Sequence, residues 1–391
     1  MTRLLEILIS LLIVAVLFVV VGVLLPSNRT LVEQVETNRR QTIVFDTINS
    51  FRRFHEWHPM ALYDPAISLE RSGPEEGEGA TLTFRSDTRT VGDGSWTIVE
   101  SEPRRRVEIA IEDDSRGSNK RTSFDLRPTG RGGRNIEITQ TYSVDYGWNL
   151  LGRYSGLYVS RGVGDTMTLG LGRLSNMLAS VPNVDYDVQG STLADLRIAE
   201  RPAENLLAVR AGAIERRTAE IQASMESNME WINRTMDAND LEPAGPMRII
   251  TTELGREVYN FDVVQPVRTQ GSGPDESGDG NDEETADNGE ANGDDNGDEA
   301  AAAPVMVDEG ELEDLELLGP VEYVRTEPTL TAGGDYTGFM AELETVRNAI
   351  RAWAMTQGYE VTGRPYELYK SGIEGSFTAD GEYEVYWTLQ Q

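Results

Sequence analysis

Gly363-Arg364-Pro365-Tyr366-Glu367-Leu368-Tyr369, followed near the C-terminus by Glu382-Tyr383-Glu384-Val385-Tyr386-Trp387, is the stretch on which the reading of this chain turns. Both segments read as strands, because aromatic residues are dense and neighbours alternate in character. In the later strand Glu382, Glu384 and Tyr386 share one face, and Tyr383, Val385 and Trp387 share the other. In the earlier strand Glu367 and Tyr369 share a face. Carboxylates and phenol rings on strand faces suit a pocket for a cationic or polarisable organic molecule. They are equally compatible with a solvent-facing sheet edge that carries stray acids.

Outward from this stretch the pattern repeats. Leu196-Arg197-Ile198 and Leu206-Leu207-Ala208-Val209-Arg210 read as strands before a helix with the stripe Ile221, Met225, Met229, Ile232 and Met236. Val321-Glu322-Tyr323-Val324 and Leu330-Thr331-Ala332-Gly333 precede a second helix with the stripe Phe339, Leu343, Val346, Ile350 and Trp353. Gly245-Pro246 answers Gly363-Arg364-Pro365, and Tyr259-Asn260-Phe261-Asp262 answers Tyr383-Glu384-Val385-Tyr386. Two such halves sharing one sheet form a cleft at their pseudo-twofold axis. The domain is expected to run over residues 193–391, interrupted by an acidic insert at 270–317.

Gly334-Asp335-Tyr336 before the second helix, Trp353 within it, Pro365-Tyr366-Glu367-Leu368-Tyr369 and Glu384-Val385-Tyr386-Trp387 resemble the GyrI-like small-molecule-binding domain. The same domain occurs as the effector-binding part of AraC- and MerR-type multidrug regulators. The resemblance implies a carboxylate among aromatic rings that receives lipophilic cations. It puts Glu384 first and Glu367 second as that carboxylate, with Tyr336, Tyr366, Tyr369 and Tyr386 as walls. Gly333-Gly334-Asp335-Tyr336 departs from relatives that carry a His before Gly-x-Tyr, which removes any His-dependent contact.

Upstream, Thr30 to Thr37 alternates as a strand, and Arg39 to Phe51 reads as a helix that Pro59 stops after a further helical stretch. Alternating runs follow at Thr81–Phe84, Ser95–Val99, Val107–Ile111, Thr122–Leu126 and Ile136–Tyr142. A closing helix carries Val163, Met167, Leu171, Leu174 and Leu178 on one stripe. Val44-Phe45-Asp46-Thr47-Ile48-Asn49, Trp57-His58-Pro59, Gly77-Glu78-Gly79-Ala80 and Trp96-Thr97-Ile98-Val99-Glu100 resemble the SRPBCC superfamily of START-like, polyketide cyclase and lipid-transport domains. Leu25-Pro26 resembles its membrane-anchored members. The resemblance covers residues 30–181 and implies a helix-grip fold, a sheet curled round the last helix over an apolar cavity. It carries no catalytic residues across. Trp57, Trp96 and His58 are its candidate cavity residues, with core packing as the plainer role for both tryptophans. The sequence departs at Asn38-Arg39-Arg40, where relatives have Asn-Ala-Pro, so its helix entry is polar. The whole is therefore an α+β chain: an apolar helix at 4–25, the helix-grip domain, a linker at 182–192 and the duplicated domain.

Leu4 to Leu25 is almost wholly apolar and long enough for a bilayer span of roughly 20 residues. Arg3 and the amino terminus on one side face Arg29, Arg39 and Arg40 on the other. The expectation is a single pass through a bacterial inner membrane with the domains outside the cytoplasm.

The formal net charge is −31; Gly271 to Leu317 carries 18 acids and no Lys or Arg, so −13 stays with the rest of the chain. Nucleic acid and anionic lipid are poor electrostatic partners for such a surface. The insert is too polar to bury itself and is expected to be disordered, with no partner identified by its composition. Cys is absent and His55 and His58 are the only histidines, which excludes thiolate chemistry and a three-His zinc site. No cofactor motif and no nucleophile motif is present; Gly162-Val163-Gly164 lacks the third glycine of a dinucleotide fingerprint. The expectation is a membrane-tethered, non-enzymatic binder of a small hydrophobic or cationic molecule. The alternative is a hydrolase or cyclase whose turnover rests on Glu, Tyr and water.

Overall fold

The computed structural model describes residues 2–188, 192–272 and 310–390. Most of the expected acidic insert, residues 273–309, lies outside the described residues. In chain order the elements begin α1 (Thr2–Leu24), β1 (Asn28–Thr37), α2 (Gln41–Ile48), α3 (Phe54–Trp57) and α4 (Met60–Tyr63). Then come β2 (Ser68–Ser72), β3 (Thr81–Arg85), β4 (Gly94–Glu102), β5 (Arg106–Asp113), β6 (Ser118–Thr129) and β7 (Asn135–Asp145). α5 (Leu150–Ser155), a π turn (Ser160–Gly164) and α6 (Asp165–Leu178) follow. The rest is β8 (Leu193–Arg201), β9 (Asn205–Glu215), α7 (Thr218–Ala238), β10 (Leu241–Pro243), β11 (Arg248–Leu254), β12 (Val258–Thr269), β13 (Glu322–Arg325), β14 (Thr329–Thr337), α8 (Leu343–Thr356), β15 (Glu360–Tyr369), α9 (Gly372–Gly375) and β16 (Glu382–Gln390).

The chain divides into two compact units, Met1–Ser191 with Glu344–Val361, and Thr192–Leu343 with Thr362–Gln391. The first unit is built on a seven-stranded antiparallel sheet in the order β1-β7-β6-β5-β4-β3-β2. Its strands alternate as their sequences do. In β7 Ile136, Ile138, Gln140, Tyr142 and Val144 point inward, and in β5 Val107, Ile109 and Ile111 do so. α6 lies against β1 and α3 and buries Met167, Leu171, Leu174 and Leu178, four of the five residues of the expected stripe. The fifth, Val163, falls in the π turn and lines a cavity. The polar helix entry has a use. Arg39 donates through Nε to the Leu178 carbonyl at 2.9 Å and through Nη2 to the Ala179 carbonyl, which caps the end of α6.

Residues 344–361 group with the first unit. The reason is local. Arg53 donates to the Met355 carbonyl at 3.1 Å, and the Tyr186 and Thr356 hydroxyls are 3.3 Å apart. Leu343, Val346 and Ile350 of the expected stripe are buried, and so are Ala349, Ala352 and Ala354, so α8 is covered on more than one side. Phe339 precedes the helix and is exposed.

The second unit holds a nine-stranded antiparallel sheet ordered β13-β9-β12-β11-β15-β16-β14-β8, with β10 paired to β12. The order reads alike from either end once the halves are exchanged. The first strand of each half pairs with the second strand of the other half, β13 with β9 and β8 with β14. The halves meet where β11 and β15 pair, with Ile249 opposite Glu367. α7 lies on β9 and β12 and buries Ile221, Met225, Ile232 and Met236.

Within α1 the 22 residues Arg3–Leu24 are long and apolar enough to cross a membrane, and they are almost entirely exposed.

Candidate functional site

The first unit encloses a cavity of about 710 Å³ between its sheet and α6. That volume falls within the range of roughly 300–1,000 Å³ that holds small organic ligands. Its floor is aromatic: Trp57 from α3, Phe84 from β3 and Trp96 from β4, all buried. Both tryptophans singled out in the sequence therefore line one space.

His58, which follows α3, sits in this aromatic wall. Its ring stacks on Phe54 at 4.5 Å and stands edge-on to Trp96 at 4.9 Å and Trp57 at 5.6 Å. Burial pushes its pKa down to about 3, because no neighbour compensates the loss of water around an imidazolium. The Met60 N–H donates to Nδ1 at 3.4 Å, so the neutral ring carries its proton on Nε2. Polar groups interrupt the apolar lining. Gln140 Nε2 donates to Thr122 Oγ1 at 3.1 Å, and both residues face the cavity. Burial pushes the Tyr142 phenol far above its ordinary value, so it stays a neutral hydroxyl. The indole N–H of Trp57 is buried without a hydrogen-bond partner. A buried donor of this kind is destabilising until an acceptor reaches it.

The exposed rim is polar. Arg89, Asp93, Asp114 and Arg161 stand there, and Asp113 is held by Lys120, whose Nζ also donates to the Ser115 carbonyl at 2.6 Å. The π turn supplies Arg161, Gly162 and Val163 to the rim. Such turns are rare, and they tend to mark functional positions.

The second unit divides the remaining candidates between the two faces of its sheet. On one face the Tyr366 and Tyr386 rings stack at 5.3 Å, and the Tyr386 hydroxyl donates to Glu384 at 2.5 Å. On the other face Tyr383 stacks on Tyr336 at 5.7 Å and meets Tyr369 edge-on at 5.1 Å, and the Glu367 charge acts on Tyr383. Glu367 is 0 % exposed. Glu384 and Glu367 thus never share a pocket. The period of a strand already separates Tyr366 from Glu367.

Sequence reasoning missed the cations on the Glu384 face. Lys370 Nζ lies 2.8 Å from Glu384 and Arg197 Nη2 lies 3.5 Å from it. Burial alone would raise the Glu384 carboxyl, but the Lys370 and Tyr386 hydrogen bonds with the Lys370 and Arg197 charges outweigh it and hold it low. Arg201 stands 4.8 Å above the Tyr386 ring and Arg248 5.6 Å above the Tyr366 ring. Arg248 pairs with Glu204 through both Nη atoms, one at 2.6 Å, and Arg201 reaches the same carboxylate at 3.2 Å. Arg201, Arg248, Glu204 and Tyr366 border a recess of about 200 Å³, which Arg364 and Glu327 also line. Arg201 and Arg248 each keep a buried Nε–H without a partner. Burial pushes the Tyr366 phenol up to about 12, with both arginines pulling the other way. Among the residues lining the recess, guanidinium groups outnumber carboxylates by three to two.

Among the described residues no group of three or more His, Asp or Glu is placed to hold a metal ion.

No curated protein matches the chain. Among solved structures, the C-terminal domain of EcmrR aligns at 12 % identity over 50 % of this chain and 98 % of its own, with a TM-score of 0.34. Truncated norcoclaurine synthase from Thalictrum flavum aligns at 11 % identity over 39 % of this chain and 94 % of its own, TM-score 0.32. A protein from Thermobifida fusca aligns at 22 % identity over 38 % of this chain and 93 % of its own, TM-score 0.30. Residues 29–178 match the family described as polyketide cyclase / dehydrase and lipid transport, and this span holds the sheet, α6 and the aromatic cavity. Over residues 29–178 the first unit is thus similar to the polyketide cyclase / dehydrase and lipid transport family.

Proposed function

We propose that the chain is a bilayer-anchored, non-enzymatic binding protein that holds a small hydrophobic molecule in the cavity of its first unit. One observation carries this reading: an aromatic-floored space of about 710 Å³ with a neutral imidazole in its wall. The ligand it fits is a small apolar body. α1, apolar and exposed over Arg3–Leu24, is the proposed anchor, with the units outside the cytoplasm of a bacterial cell. Native mass spectrometry of the detergent-extracted full chain tests the reading. A co-purified adduct is expected, and Gly162→Trp is expected to abolish it, since no atom lies within 4 Å of a Cβ placed at Gly162 and the ring fills the rim. An adduct that survives Gly162→Trp, or no adduct even after incubation with lipid extract, sinks it.

The second unit supports a second reading as a GyrI-like effector-binding domain, on the strength of its pseudo-symmetric sheet order. Tyr366 remains its ligand-facing ring, with Tyr386 stacked on it. The arginines change the sign of the ligand: a small aromatic anion fits the recess better than a lipophilic cation, because Glu384 is already neutralised by Lys370 and Arg197. Salicylate is expected to bind the full chain, with loss on Arg201→Gln. Binding of tetraphenylphosphonium in place of salicylate returns Glu384 to the cation role.

A further inference from the structure

Three observations in the first unit meet at one end of its sheet. The first is exposure. Trp148 is 82 % and Tyr158 71 % exposed, and Leu151 and Leu157 between them are exposed too. The second is attachment. Tyr154 of α5 stacks on Phe18 of α1 at 4.5 Å, and its hydroxyl donates to the Phe18 carbonyl at 2.8 Å. Phe18 precedes Leu24, the last residue of α1, by six positions, so α5 runs beside roughly the final 9 Å of that helix at about 1.5 Å per residue. Interfacial elements bury their apolar side to a depth of about 5–10 Å, and Trp and Tyr gather at that level.

The third is register. Asn28, which opens β1 just after α1, pairs with Asp145, and Ser118 pairs with the same Asp145. Gly94 pairs with Asp113 at that end too. The turns that carry Arg89–Asp93 and Asp113–Ser115 therefore lie at the α1 end of the sheet. Arg161 and Gly162 lie three and four positions after Tyr158 in the chain. These are the rim of the cavity, while the buried Trp57 and Phe84 form its floor.

We infer that Trp148–Tyr158 is an interfacial footing which beds into the bilayer surface and turns the cavity rim toward lipid. The ligand class this selects is a bilayer-resident amphiphile that passes between membrane and cavity without crossing bulk water. The inference rests on the membrane and cavity readings above and is separable from both.

The chain has no Cys, so one introduced thiol labels cleanly. Full-length Gly162→Cys and Arg131→Cys, each carrying a nitrobenzoxadiazole probe, are placed in phosphatidylcholine vesicles. Arg131 sits in the β6–β7 turn, about 30 Å along the sheet from the α1 end at roughly 3.3 Å per residue. Lipid brominated near the headgroup is expected to quench the probe at position 162 and the emission of Trp148, read as wild type minus Trp148→Phe. The probe at position 131 is expected to be untouched. A protein that fails to float with the vesicles overturns anchor and footing together. A protein that floats while position 162 and Trp148 are quenched no more than position 131 overturns the footing alone. Uptake of a dansyl-labelled fatty acid from vesicles, followed by adduct mass, is expected to slow on the order of tenfold in Trp148→Ser with Tyr158→Ser, with affinity in detergent unchanged. Equal uptake rates, or no adduct, overturn the lipid route while the quenching result decides the footing.

Discussion

Trp57 joins a packing role to a binding one. Its ring packs edge-on against Phe54 at 5.2 Å and Phe124 at 5.9 Å, yet its N–H has no partner. Trp57→Phe keeps most of the bulk and deletes the donor. Ligand affinity is expected to fall about fivefold, near 1 kcal/mol, through the apolar ring area that the smaller side chain takes from the cavity wall. Thermal stability of the ligand-free protein is expected to hold or rise, which denaturation without ligand would read. Both changes failing together would make the ring plain core.

His58 offers a sharper measurement at the same scale. Its folded pKa of about 3 lies below the ordinary 6.5. For a base shifted downward, the folded state refuses a proton that the unfolded chain accepts. The stabilising neutral form is fully present above 6.5 and is lost as pH falls from 6.5 toward 3. Against His58→Phe, wild-type stability is expected to decline more steeply in that window, by at most about 1.4 kcal/mol per pH unit. Parallel curves from chemical denaturation at several pH values would contradict this.

Among the elements, β4 shows how the cavity is kept open at its edge. A Cβ on Gly94 would come within 2.3 Å of the Glu112 carbonyl and 2.6 Å of the Phe84 ring. Gly94→Ala therefore forces β4 from β5 or tilts Phe84, and a loss of about 2 kcal/mol is expected by denaturant titration. An unchanged midpoint would mean that the strand pair yields freely.

The elements also show what was readable in advance. β3 to β7 and α6 follow from alternation and from one apolar stripe, since each buries the residues its sequence marks. β2 left no signal: Ser68-Leu69-Glu70-Arg71-Ser72 lies at the sheet edge with almost no inward face. The two tryptophans of the cavity were recoverable as aromatic residues near a turn. His58 beside them was seen, and its burial was not, because burial is decided by strands distant in sequence. The same limit hid Arg197, Arg201 and Arg248, which reach Tyr366 and Tyr386 from β8 and β11. Local pattern gives a residue its face on a strand. It does not give the charge that tertiary pairing brings opposite.

For the whole molecule, charge is the dominant global term. A net −31 on 391 residues repels itself at low ionic strength. Salt shortens the range of that repulsion to about 3 Å at 1 M from about 30 Å at 0.01 M. The thermal midpoint of the full chain is expected to rise by several degrees across that range; a flat response would show that its acids are already compensated within each unit.

One contact made by Arg153 bears on motion. Its guanidinium donates to the carbonyls of Val23 at 2.8 Å and Leu25 at 3.2 Å, and to that of Gly147 at 2.6 Å. A span joined to a domain by a loose linker acts as a leash, and its cargo tumbles. Here the junction acts as a bracket, because three carbonyls on two segments share one rigid plane of donors. With α1 as the proposed anchor, the domain over residues 29–178 should then turn only as fast as that helix turns within lipid, and cutting the bracket with Arg153→Ala should restore free swivelling.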